Sequence, residues 1–183
     1  MRKLSISNDK DIIEEMNRPY QSSENGELIF VDEQFNNTMR FVFTRYHSIY
    51  NKKYPDVPIK DLKVFHFHKI ANYYHSSMDE KFEENVNKGF MKVTMCYIIL
   101  QMLQDERLKD INFELNLVNT ANFYTKNGTK TAPEIYKVFL NDFDPEDKRE
   151  EFRIFLALNR ENDLDYFRNL YEFIIQDKGV EVI

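Results

Sequence analysis

One stretch of the chain, residues 77–108, has the hydrophobic pattern around which the other elements are arranged. Nearly every residue from 93 to 103 is apolar, which is typical of a helix covered on several sides. Ser77 and Glu80 form a capping box, in which each side chain bonds a backbone N–H of the first turn. The pattern predicts a long central helix over about 78–106. The apolar run is about half of the roughly 20 residues that a bilayer span needs, which favours burial within the protein.

Apolar residues at helical spacing also precede this segment. The clearest stripe belongs to a predicted helix that Asp32 caps and that continues to about Lys52, and a second predicted helix covers 60–75. The first stripe consists of Phe35, Met39, Val42, Tyr46 and Ile49. Residues 27–31 could form a short strand or an apolar connector, and residues 111–117 could form a strand or a helix. We favour an apolar connector for the first and a helix for the second, because neither has an obvious strand partner.

Three short capped helices are predicted over 131–178. Thr131, Asp144 and Asp163 are in positions typical of helix starts, and Gly179 stands where a C-cap glycine belongs. The predicted fold is therefore all-α: a single-domain irregular helical bundle around the central helix, with a C-terminal array of three short helices. The length of 183 residues fits one domain, 1–183, with a subdivision into 1–125 and 131–178 as an alternative. Only 4 Gly and 5 Pro are available for the tight turns of a sandwich or barrel.

The single cysteine, Cys96, lies in the most apolar run, so no intrachain disulfide can form and we expect a buried thiol. No secretory signal follows Met1. These features predict a cytoplasmic protein in a reducing compartment, without a membrane partner.

Charge is unevenly distributed along the chain. Residues 34–76 carry seven basic and two acidic side chains, whereas residues 142–183 carry six basic and twelve acidic ones. The basic segment, which is rich in tyrosine, contains the candidate nucleic-acid-binding residues Arg40, Arg45, Lys52, Lys53, Lys63 and Lys69. The acidic segment contains the candidate partner-binding residues Asp144, Glu146, Asp147, Glu150 and Glu151. Carboxylates on a rigid helix can imitate phosphates and occupy a basic groove.

Arg40 and His47 are separated by six residues on a predicted helix, and this pattern resembles the signature of the HEPN ribonuclease superfamily. The resemblance implies that the two side chains act together on an RNA phosphodiester, usually across a dimer. Phe41 departs from it, because a polar residue commonly follows the arginine. A chance pairing on a solvated helix face is the alternative interpretation.

Histidine is the other residue type with candidate chemistry. His66, His68 and His75 do not converge as three ligands on a helix, because His66 is displaced by about 200° from His68. The four glycines are isolated, so no phosphate-binding loop is present. The sequence predicts no metal and no cofactor.

The favoured hypothesis is a non-enzymatic protein-binding regulator or inhibitor of a larger nucleic-acid-handling protein. In size, acidity and lack of a recognisable active site the chain is similar to the anti-CRISPR and related inhibitors by which phages and mobile elements act against nucleases. One alternative is a HEPN-like ribonuclease or nucleic-acid-binding module that uses Arg40 and His47. Another is a toxin-neutralising immunity protein. The oligomeric state stays open.

Overall fold

Seven strands form one mixed sheet in the computed structural model, so the prediction of an all-α fold is wrong. The structure describes residues 1–7, 11–17, 26–32, 37–47, 62–73, 89–108, 112–118, 122–125, 128–131, 153–158 and 160–183. In chain order the elements are β1 (Arg2–Ile6), α1 (Ile12–Asn17), β2 (Gly26–Asp32), β3 (Asn37–His47), β4 (Leu62–Tyr73), α2 (Phe90–Gln104), β5 (Asn112–Val118), β6 (Asn122–Thr125), β7 (Gly128–Thr131), β8 (Arg153–Leu158), α3 (Arg160–Lys178) and β9 (Val180–Val182).

The strands are ordered β8-β5-β4-β3-β2-β1-β9 across the sheet, and β6 and β7 form a separate hairpin. From β1 to β4 each strand is antiparallel to the next. The connection through α2 then makes β5 parallel to β4, while β8 is antiparallel to β5. After α3 the chain returns to the opposite edge, where β9 is parallel to β1. The fold therefore combines helices with a mixed sheet, in which four of the six strand pairings are antiparallel.

The helices predicted over 32–52 and 60–75 are wrong, because these segments contain β3 and β4. On β3 every second residue, namely Met39, Phe41 and Phe43, is buried on one face, which is the period of a strand. Of the apolar stripe on which the helix prediction rested, only Met39 belongs to this buried face. The favoured interpretations of 27–31 and 111–117 are also wrong, since these residues belong to β2 and β5.

The central helix is present as α2, within the predicted bounds, and residues 78–88 lie outside the described part of the chain. Its apolar residues, including Val93, Ile98 and Ile99, are buried in the core. The prediction that the run is covered by protein is confirmed, although strands contribute to the cover as well as helices. Among the described residues, no helix is long and apolar enough to cross a membrane.

Phenylalanine rings connect the sheet to α2. Phe41 makes edge contacts with Phe30 on β2 and Phe67 on β4, with ring centroids 5.8 and 6.2 Å apart. Phe30 in turn meets Tyr97 of α2 edge-on at 6.4 Å. Such pairs add to the free energy gained by burying the rings, so the face of β2–β4 that bears Phe30, Phe41 and Phe67 is the centre of the core.

The predicted C-terminal array of three helices is wrong. Thr131 ends strand β7, residues 132–152 lie outside the described residues, and the segment predicted as the second helix contains β8. The third helix is confirmed as α3, which begins at Arg160, three residues before the predicted cap. Gly179 has φ +63°, the left-handed conformation of a C-cap glycine.

The C-terminal strand is held by a side chain as well as by β1. The N–H of Val182 donates to the Tyr171 hydroxyl at 3.2 Å, and the N–H of Ile183 donates to Leu4 O at 2.9 Å. Burial raises the pKa of Tyr171 to about 12, so the hydroxyl stays neutral and keeps its position on β9 at physiological pH.

Cys96 is fully buried on α2, as expected from the sequence, and its thiol lies 3.5 Å from Phe167 O of α3. Burial raises the pKa of the Cys96 thiol to about 12, and the thiolate is the form that reacts with alkylating agents. We expect iodoacetamide at pH 8 to modify Cys96 of the denatured protein within minutes. In the folded protein, Cys96 should react only when the chain unfolds. Mass spectrometry of timed samples checks this, and equal rates in both states would contradict the burial of Cys96.

Candidate functional site

The parallel pairing of β4 with β5 stops before the carboxyl end of β4. β4 and β5 pair from Leu62 opposite Asn112 up to Phe67 opposite Leu117, and β5 ends at Val118. β4 continues to Tyr73 and remains paired with β3 along this extension. In the described part of the chain no strand pairs with residues 69–73 on the β5 side, a stretch of about 16 Å, and β8 begins opposite the end of β5. We call residues 68–73 of β4 and the end of β5 the β4/β5 cleft.

A β-bulge lies where the pairing with β5 stops. Val42 of β3 pairs with Lys69, whereas the next residue, Phe43, pairs with Phe67. His68 is therefore the extra residue on β4. A bulge bends its strand, increases the local twist and takes one residue out of the regular ladder, and bulges are common beside active sites. The pairing of β4 with β5 ends at Phe67, directly before this extra residue.

Crevices at the carboxyl ends of parallel strands are the usual ligand sites of α/β sheets. The same end of this sheet also holds the end of β2, the start of β1 and the start of β9, as the strand registers show. Helix α3 ends here at Lys178, directly before β9, and the first residue of α2 contacts Arg2. The cleft and the N-terminus of α2 therefore lie at one end of the molecule.

Helix α2 begins without a capping side chain. Its N-cap is Gly89, with φ +79° and ψ +13° and no side-chain hydrogen bond to the first turn. The first bond inside the helix runs from Val93 N–H to Gly89 O at 2.9 Å, so the N–H groups of Phe90 and Met91 point away from the helix body. Helix N-termini carry partial positive charge and bind anions, above all phosphates.

Lys178 lies against this helix start. A Cβ at Gly89 would come within 2.5 Å of Lys178 Cγ, so the absence of a side chain at position 89 allows the lysine to approach the backbone. The ammonium group pairs with Asp177 at 2.6 Å, and the Lys178 side chain is 33% exposed. The aliphatic stem of Lys178 therefore packs on the start of α2, while its ammonium group pairs with Asp177.

Arg2 fixes the same helix start from the sheet side. Its guanidinium forms an ion pair with Asp32, whose side chain is 1% exposed, and lies 4.5 Å from the ring centroid of Phe90. The contact joins the first strand, the end of β2 and the first residue of α2. A cation over an aromatic face in a desolvated setting is a strong form of this interaction.

The opposite end of α2 carries a different cluster of charges. Arg107 donates to Asp105 at 2.8 Å and approaches Asp11 of the α1 cap at 3.6 Å, and the side chains of Arg107 and Asp11 are about half exposed. The hydrogen bond from Arg107 lowers the pKa of Asp105 to about 2. These ion pairs connect α1 with the end of α2, and they lie at the end of α2 remote from Gly89.

The structure places the predicted ribonuclease pair on a strand. Arg40 and His47 lie on β3, opposite Ala71 and Lys63 of β4. Arg40 forms an ion pair with Glu27 of β2. The helix surface on which the HEPN resemblance depended is therefore absent, and Arg40 is engaged across the sheet.

Only some of the other predicted site residues lie in the described part of the chain. Arg45 is on β3, and Lys63 and Lys69 are on β4, whereas Lys52 and Lys53 lie outside the described residues. All five acidic residues predicted to bind a partner, Asp144, Glu146, Asp147, Glu150 and Glu151, also lie outside them. His66 and His68 are on β4, and within the described chain no group of three or more His, Cys, Asp or Glu residues could hold a metal ion.

Sequence reasoning missed the cleft. The available signal was the alternation of apolar residues in 112–118, which a second strand at 62–67 would have completed. Gly89 gave no signal by itself, because its role depends on the distant Lys178. The chain matches no protein-family description, no curated protein and no solved structure.

Proposed function

We propose that the β4/β5 cleft binds an acyl-coenzyme A and that the protein transfers the acyl group to an amine. The observation that carries this proposal is the edge of β4 beyond the bulge, with which no described strand pairs on the β5 side. A strand edge recognises an extended chain through alternating amide hydrogen bonds. The pantetheine arm of coenzyme A contains two amides, and from the first amide to the thiol it is an unbranched chain that needs no pockets for side chains.

The start of α2, with Gly89 and Lys178, supports the same ligand class. β4 and β1 are three strand spacings apart, about 14 Å, so a ligand that reaches from the cleft to the start of α2 must be long as well as slim. It must also carry negative charge at its far end, beside Gly89 and Lys178. Coenzyme A joins an amide arm to a diphosphate, whereas a simple nucleotide is too short and an ordinary peptide has no phosphate.

The chemistry follows from the position of the bulge. The amine adds to the thioester carbonyl, a C–N bond forms, the C–S bond breaks, and the thiol leaves with the proton that the amine loses. Negative charge develops on the carbonyl oxygen during addition. We propose that a main-chain N–H at the bulge, where the regular ladder is interrupted, stabilises this oxygen, as fixed N–H donors do.

Titration calorimetry with coenzyme A, acetyl-coenzyme A and ATP tests the ligand class. We expect both coenzyme A compounds to bind and ATP to bind at least tenfold more weakly, because ATP lacks the arm that pairs with β4. Release of free thiol from acetyl-coenzyme A in the presence of a mixture of amines then tests transfer. Binding of ATP alone, or of neither class, would exclude the proposal.

Reversing one charge tests the phosphate end. Lys178→Glu is expected to weaken coenzyme A binding about tenfold at low salt, equivalent to about 1.4 kcal/mol, and the difference should shrink as ionic strength rises. Arg168→Glu is a matched control, because Arg168 lies ten residues earlier on α3, about 15 Å away, and pairs with Asp165 in solvent. Calorimetry at two salt concentrations measures the affinity of both variants for coenzyme A. Equal effects of the two substitutions would show that Lys178 is not part of the site.

A second candidate is the inhibitor proposed from the charge pattern. Its support among the described residues is the surface of α3, where the acidic side chains of Glu161, Asp165, Glu172 and Asp177 are exposed. Capture of a nuclease from a host lysate, lost at high salt and on reversal of these charges, would favour it over acyl transfer. Both proposals assume a reducing intracellular compartment, which the free thiol of Cys96 supports.

A further inference from the structure

We propose that the outer edge of β8, on the side away from β5, pairs with β8 of a second copy of the chain and continues the sheet into a dimer. β8 is the last strand on its side of the sheet, and among the described residues no strand pairs with it there. Such an edge presents N–H and C=O groups to which a strand of another chain can bond. Pairing of this kind is independent of acyl transfer.

The sequence of β8 is typical of an interior strand. It reads RIFLAL, so that after Arg153 both alternating sets of residues are apolar. Proteins usually protect an exposed edge strand by proline, lysine, a bulge or a very short length. β8 has six residues with neither proline nor lysine, and its pairing with β5 runs without a shift in register. We therefore expect another strand to cover this edge.

The opposite edge of the sheet, by contrast, is protected. β9 has only three residues. Gly179 O and the N–H of Ile183 bond to β1, so the alternation along a strand places the N–H of Val182 on the outer edge. There the Tyr171 hydroxyl accepts a hydrogen bond from it at 3.2 Å, in the position that a partner strand would otherwise take. This contrast favours β8 over β9 as the edge that meets a second copy.

The distribution of charge in β8 favours an antiparallel pair of identical strands. Arg153 is the only charged residue of the strand and is its first residue. When residue 153 of one copy lies opposite residue 158 of the other, the two arginines are about 17 Å apart along the strands, whereas parallel strands would place them side by side. Antiparallel pairing also has the two-fold symmetry of most homodimers. Because the edge is small, we expect a reversible dimer with a dissociation constant on the order of 10 μM.

Sedimentation equilibrium over about a hundredfold range of concentration around that value measures the mass of the wild-type protein. We expect the mass to rise from monomer to dimer, and alternate amides of β8 to exchange more slowly in the dimer. A protein that stays monomeric throughout would overturn the proposal, and it would show that the chain itself covers the edge. A dimer with unchanged exchange along β8 would also overturn it.

Two proline variants, Leu156→Pro and Ala157→Pro, locate the contact. Successive N–H groups of an antiparallel strand point to opposite sides, so one variant removes a donor toward β5 and the other removes a donor on the outer edge. The outer-edge variant should keep the wild-type circular dichroism spectrum and dimerise at least about tenfold more weakly, and the other should be less stable to urea. Val182→Pro, on β9, is the matched control and should dimerise like wild type. Unchanged dimerisation of the folded β8 variant would contradict the proposal, and if neither β8 variant folds, the wild-type exchange measurement decides.

Discussion

Replacement of Phe41 by alanine is expected to lower the free energy of unfolding by about 3–5 kcal/mol. Phe41 is completely buried at the centre of β3, with edge contacts to Phe30 and Phe67. Truncation removes both ring contacts and leaves a cavity between the sheet and α2. Urea unfolding followed by circular dichroism, with linear extrapolation to water, measures the difference.

Val42→Ala is the matched control on the adjacent residue. Val42 is half-buried on the other face of β3, and we expect its truncation to cost about 1 kcal/mol. On the helix predicted over 32–52 the order would be reversed, because Val42 belongs to the apolar stripe there and Phe41 does not. A larger loss for Val42→Ala than for Phe41→Ala would therefore contradict the strand.

Removal of the Asp32 carboxylate is expected to lower the free energy of unfolding by a similar amount, about 3–5 kcal/mol, because a buried charge is left without its partner. Asp32 is fully buried at the end of β2, and Arg2 is nearly so. In Asp32→Ala the guanidinium of Arg2 would remain in the interior beside Phe90. The same urea experiment gives the free energy of unfolding.

A double-mutant cycle distinguishes this ion pair from a simple loss of packing. Arg2→Met combined with Asp32→Ala should be more stable than the sum of the two single losses predicts, since neither partner is then left alone. The coupling should exceed about 1 kcal/mol. Additive losses would show that the two side chains do not depend on each other.

The error over β3 and β4 has a physical origin in two overlapping periods. The segment from 35 to 49 has apolar residues at helical spacing, but Met39, Phe41 and Phe43 also recur at every second position. Aromatic and β-branched residues are enriched in strands, and this preference should have decided between the two periods. The small number of Gly and Pro residues argued against sandwiches and barrels, but it did not argue against a mixed sheet with helical crossovers.

The helices that pack against the sheet were predictable from local features. α2 is apolar nearly all round because the sheet and α3 both cover it, and Gly179 ends α3 as its sequence position predicted. By contrast, β9 pairs with β1 across almost the whole chain, and nothing local in Val180–Val182 specifies such a partner. The chain returns to β1 only because α3 crosses back over the face that α2 occupies.

The candidate site could not be predicted from the sequence, because it too depends on pairing between distant segments. The cleft arises from the difference between where β5 ends and where β4 ends, together with the bulge at His68. Both depend on strand register, which is fixed by pairing between segments distant in the sequence. The predicted sites were instead charged residues within one segment, which sequence shows directly.

Amide hydrogen exchange along β4, with and without coenzyme A, tests the central claim most directly. If the ligand arm pairs with the edge beyond the bulge, exchange at the alternate residues within 69–73 whose N–H groups point away from β3 should slow at saturating coenzyme A, whereas exchange at Phe65 and Phe67, already inside the sheet, should change little. Slower exchange confined to other elements, or no change at residues 69–73 while coenzyme A is bound, would contradict the assignment of the β4/β5 cleft as the binding site.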